Sequence, residues 1–110
     1  MKKISIVFSV FLFAACAVKL SEPTQADATR VSGQFPNFTV ENLQSGKRIY
    51  TENCASCHKL AKPSAFSEAD WRKIVPNMVA KVNKKNPNKI NTADEDVLLK
   101  YLLTMGPLSK

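Results

Sequence analysis

Cys54, Cys57 and His58 stand in the order C-x-x-C-H within Cys54-Ala55-Ser56-Cys57-His58. Two thiols separated by two residues can each add to a vinyl group of a haem, forming two thioether bonds. The imidazole that follows then lies under the ring and offers a nitrogen to iron. The pattern is the attachment signature of c-type haem. His58 is the only histidine in the chain, so a haem iron has one histidine to take. Other chemistries use parts of the same pattern. A redox dithiol of C-x-x-C type needs a βαβ context, and both flanks here read as helix. A zinc site takes four ligands, and three crowded into five residues suit one ion poorly. A structural disulfide between Cys54 and Cys57 leaves His58 without a purpose. Haem attachment uses all three side chains.

Helices must carry this motif. Leu43, Gly46 and Tyr50 recur at helical spacing, which predicts a first helix from near Glu41 or Leu43 into the motif. Glycine inside a helix costs about 1 kcal/mol relative to alanine, and is tolerated where another backbone must come close. At the other end Thr92 and Glu95 form a capping pair, with Asp94, Glu95 and Asp96 in the first turn. Val97, Leu98, Tyr101, Leu102 and Met105 make one apolar stripe, closed by Gly106-Pro107. Leu98 and Tyr101 are expected to fill the notch at Gly46. Between these helices Ser67 caps a middle helix with Glu68 and Asp70 in its first turn. Trp71, Ile74, Val75 and Met78 recur on it. Pro76 predicts a kink or restart, and Lys81 to Lys89 read as an exposed basic loop. There is no internal repeat, no low-complexity stretch and little strand-like alternation, so the fold class is all-α.

The amino terminus reads as an export signal. Met1-Lys2-Lys3 is a short positive region, and Ile4 to Ala15 is an apolar run too short to span a bilayer. Residues 1–15 are thus expected to be removed. Phe13-Ala14-Ala15-Cys16 resembles a bacterial lipoprotein cleavage box, although Phe13 stands where leucine is preferred. Ala15-Cys16-Ala17 alternatively suits ordinary signal peptidase. Of three cysteines two belong to the haem motif. The third, Cys16, would be a free exported thiol unless acylated, which favours a lipid anchor. Residues 16–38 are rich in Ser, Thr, Pro and acidic side chains and read as a flexible tether. Phe35 and Phe38 are the exceptions, since aromatics this close to a domain often dock on it. Residues 39–110 form the domain. It is small enough to need a staple, which a covalent haem supplies.

Gly46-Lys47-Arg48-Ile49-Tyr50, then Cys54-Ala55-Ser56-Cys57-His58, and the closing helix with Leu98 and Tyr101 together resemble class I cytochrome c over about Leu43 to Met105. The stretch Trp71-Arg72-Lys73-Ile74-Val75-Pro76-Asn77-Met78 looks like that of short bacterial monohaem cytochromes, and the amino terminus adds a lipoprotein-like signal. The resemblance implies a bundle of three to four helices around one covalently bound haem c. It implies a Gly/aromatic contact between first and last helices, and a loop proline beside the haem ligand, here Pro63. It also implies a methionine ligand before the last helix, which selects Met78 over Met105. Met78 follows His58 by twenty residues, shorter than in most of the family, so a vacant or lysine-ligated iron stays open. Trp71 is a candidate haem neighbour and equally a core aromatic.

Composition bounds the partners. The chain carries formal charge +7; removing Lys2 and Lys3 from 16 basic residues leaves 14 against 9 acidic ones, or +5. Lys47, Arg48, Lys59, Lys62, Lys81, Lys84, Lys85 and Lys89 cluster near the motif and the later loop. They suit acidic redox partners, or are simply a solvated surface. Nothing suggests nucleic acid. The expectation is a non-enzymatic, membrane-tethered one-electron carrier on the periplasmic side of a bacterial membrane. A gas-binding or sensory haem protein and a haem subunit of a larger oxidoreductase complex are the alternatives.

Overall fold

Thr39 opens the first long helix by a reciprocal cap. Its hydroxyl accepts from the Asn42 N–H at 3.2 Å, and the Asn42 side-chain oxygen accepts from the Thr39 N–H at 2.9 Å. The computed structural model describes residues 19–54 and 60–109. Four helices lie there, α1 (Gln25–Arg30), α2 (Val40–Asn53), α3 (Glu68–Lys85) and α4 (Thr92–Met105), with a short 3-10 turn at Pro63–Ala65. The chain is all-α, as the sequence indicates, and no strand occurs among the described residues. The expected signal segment, Cys16, Cys57 and His58 lie outside those residues.

The central pairing is α2 on α4, with α3 against α4. Its key is Gly46. A Cβ there would sit 2.9 Å from the Val97 carbonyl oxygen and 3.1 Å from Cγ of Tyr101. Glycine therefore lets Tyr101 lie on the α2 backbone, as expected from the sequence. Leu43, Leu98, Tyr101, Leu102 and Leu103 are wholly buried around this contact. At about 25 cal/mol per Å², such side chains supply most of the bundle's cohesion.

Three local expectations change. The cap of α4 is Asn91, whose side-chain oxygen accepts from the Asp94 N–H at 2.8 Å, one residue before the expected Thr92. Asparagine competes at least as well as threonine for this role. Helix α3 runs through Pro76 and on to Lys85. Proline removes one helical hydrogen bond, but Pro76 is exposed while Trp71, Val75 and Val79 on the same helix are buried. Lys81 to Lys85, expected in a loop, continue the helix because lysine is a good helix former. Asn86 ends it, since a residue before proline avoids helical backbone.

The segment expected to be a flexible tether holds α1 and docks. Ala28, Val31, Phe35 and Phe38 are buried. The two phenylalanines meet edge-on at 6.1 Å, with the Lys100 ammonium 5.6 Å above one ring and 5.7 Å above the other. Arg30 crosses to the end of α4, donating from Nε to the Leu108 carbonyl at 2.8 Å and from Nη2 to the Thr104 carbonyl at 3.0 Å. A cation suits that helix end. Phe35 and Phe38 dock as their place beside the domain suggests, whereas Ala28 and Val31 were hidden among polar neighbours.

Candidate functional site

Helix α2 delivers Cys54 at its carboxyl end, where the Cys54 N–H donates to the Tyr50 carbonyl at 3.0 Å. Beside it opens a cleft of about 630 Å³, inside the range of about 300–1,000 Å³ that cofactor sites occupy. One wall is a single face of α3, carrying Trp71, Ile74, Met78, Lys81, Val82 and Lys85. Tyr50, Leu60, Ala61 and Phe66 form much of the rest. The lining is mainly apolar, as a flat hydrophobic ring requires.

Of the residues singled out by sequence, Cys54, Trp71 and Met78 share this cleft. Pro63 is buried but outside the lining. Its carbonyl accepts the Trp71 indole N–H at 2.8 Å, so it positions the tryptophan from behind. Tyr50 also enters the site, although the sequence marked it only as packing. Its hydroxyl donates to the Ala61 carbonyl at 2.6 Å, fixing the loop that follows the motif. Phe66 stacks edge-on against Trp71 at 5.1 Å, and Trp71 meets Tyr50 edge-on at 6.2 Å. Ile74 and Val82 were legible in principle: they lie four residues either side of Met78, one turn apart. Ending the helix early hid Val82.

Burial dominates the electrostatics. It pushes the Cys54 thiol up to about 11. Burial, with a smaller contribution from the neighbouring Cys54, pushes the Tyr50 phenol up to about 12 against the weaker pull of the Ala61 bond. No cluster of His, Cys, Asp and Glu able to hold a metal ion occurs among the described residues.

These features define a class: an all-α protein with a cofactor-sized apolar cleft beside a C-x-x-C-H motif. The chain is similar, over 52 residues at 35% identity, to photosystem II extrinsic protein V of Phaeodactylum tricornutum, covering 47% of this chain and 32% of that protein. The namesake from Gracilaria tenuistipitata var. liui is 36% identical over 53 residues, 48% of this chain and 32% of its own length. That from Trieres chinensis is 31% identical over 52 residues, 47% and 32%. The chain spans about a third of the length of the curated relatives it matches. No family model and no solved structure matches it.

Two expectations are corrected here. The resemblance to short bacterial class I cytochromes with a lipoprotein-like signal gives way to a likeness to photosystem II extrinsic proteins. The expected place, lipid-anchored through Cys16 on the periplasmic side of a bacterial membrane, falls with it, because these relatives are named for a photosystem. No helix among the described residues is long and apolar enough to cross a membrane.

Proposed function

We propose that this chain is a monohaem c-type cytochrome serving as an extrinsic haem subunit of a larger redox complex. The observation that carries the reading is the convergence of Cys54, Met78 and Trp71 on one apolar cleft at the start of C-x-x-C-H. Cys54 and Cys57 would hold the haem through thioethers. His58 and Met78 are the residues to ligate its iron, and Trp71, Phe66 and Tyr50 to wall the ring. Haem there would supply reversible one-electron chemistry, with methionine ligation and burial favouring the ferrous form. The likeness to extrinsic photosystem proteins supports the subunit role over that of a free carrier.

The test is native electrophoresis of source membranes with haem staining, beside spectra of the purified protein with and without carbon monoxide. Haem stain migrating with a large complex, and a low-spin spectrum unmoved by carbon monoxide, are expected. Haem stain at the monomer's mass would favour a free carrier. Ready carbon monoxide binding would remove Met78 as a firm ligand and favour gas binding.

A further inference from the structure

The cleft is polarised along α3. Its deep end is Trp71, 1% exposed. Its other end is Lys81 and Lys85, continued by Lys89 from the turn beyond the helix. Ten residues of helix separate Trp71 from Lys81, about 15 Å along the axis. Among the described residues the single carboxylate in the lining, Glu52, is on α2 two residues before Cys54, at the attachment end.

Lys89 is brought to the cleft by a clamp. The Asn83 side chain donates to the Ile90 carbonyl at 2.8 Å and accepts from the Ile90 N–H at 2.9 Å. Ile90 is buried, 3% exposed. The turn is tightened further by Asn88, whose φ is 60°, a conformation asparagine tolerates better than most residues. The chain therefore folds back beside α3 immediately after Lys89.

We propose that Lys81 and Lys89 hold the propionate carboxylates of the haem, so that its acidic edge faces the carboxyl end of α3. The inference rests on the haem reading above. A carboxylate leaving water needs a charged or hydrogen-bonding partner. The end of α3 itself carries partial negative charge, which opposes a carboxylate; the lysines offset it. Among the described residues, no cation lines the opposite end, walled by Trp71 and Phe66. Ammonium groups beside the propionates also favour the less charged ferrous iron, so removing them lowers the potential.

The experiment compares two full-length holoproteins, K81Q/K89Q and the control K73Q/K84Q. Both lose the same charge, but Lys73 and Lys84 are exposed and outside the cleft lining. Resonance Raman reads the propionate bending mode, and potentiometry reads the midpoint. The rim variant is expected to shift the mode while the control does not, and to lower the midpoint at least twice as far. Equal midpoint shifts with an unmoved mode in a haem-loaded protein would overturn the inference alone. A parent chain that carries no haem by pyridine haemochrome would overturn the functional reading and this inference with it.

Discussion

Trp71 donates its indole N–H to the carbonyl oxygen of Pro63 at 2.8 Å, and this buried bond ties α3 to the loop that follows C-x-x-C-H. Gly106 backs the same carbonyl so closely that a Cβ at Gly106 would collide with it. The two residues that sequence offered as separate pocket neighbours are thus one unit. Trp71 faces the cleft, and Pro63 holds it in place from the core side.

Trp71→Phe tests that unit. Phenylalanine keeps most of the ring but leaves a buried carbonyl without its donor, which costs about 1–3 kcal/mol. The denaturation midpoint of the holoprotein is expected to fall accordingly. An unchanged midpoint would mean that the bond does not hold the loop.

Gly46→Ala tests the helix crossing. The new methyl would meet the Val97 carbonyl and Tyr101 and push α2 from α4, costing about 1–3 kcal/mol. A Cβ at Gly33 would meet nothing within 4 Å, so Gly33→Ala should stay within about 0.5 kcal/mol of the parent. Paired thermal melts check the contrast.

This crossing was also the most legible part of the fold. Gly46, Leu98 and Tyr101 announce it because helical spacing and a lone glycine carry the same message. Ser67 likewise caps α3 where the sequence places it, its hydroxyl accepting from the Asp70 N–H at 3.1 Å. Other features depend on contacts far apart in the chain. Arg30 finds α4 from more than seventy positions away, and no local pattern encodes that. Lys89 reaches the cleft only because Asn83 clamps Ile90 seven residues on. Periodicity put Trp71 and Met78 on one helix and the family resemblance made them site candidates, whereas Tyr50 and Phe66 line the cleft through tertiary packing.

Arg30→Met tests the docking of the amino-terminal segment. It removes two hydrogen bonds to α4 carbonyls and the ion pair with Asp27. The expected loss is about 1–2 kcal/mol, below a fully buried charged bond because the Arg30 side chain is 28% exposed. Limited proteolysis should spare residues 25–38 in the parent and cut them faster in the variant. Rapid cutting in the parent would contradict docking.

The alkaline limb of stability follows from the tyrosines. The chain has two; burial raises Tyr50 from 10 to about 12 and raises Tyr101 further. An unfolded chain ionises its phenols near 10, so it releases protons first and gains on the folded state as pH rises. Their stabilising contribution is complete below pH 10 and is lost progressively above it. Ultraviolet titration should show no tyrosinate near pH 10 while the protein stays folded. Half-ionisation of either phenol at pH 10 would contradict the buried placement.

The central claim is that Cys54 and its partner in the motif fix a haem in the cleft walled by α3. Its most direct test is acid-acetone extraction followed by pyridine haemochrome on the parent and on Cys54→Ala, both produced with haem-attachment machinery. In the parent, haem should remain with the polypeptide and give the haemochrome of two saturated vinyl groups. In Cys54→Ala the band should shift toward that of a single thioether, or haem should be lost. A parent whose haem extracts completely, or that carries none, would contradict the account.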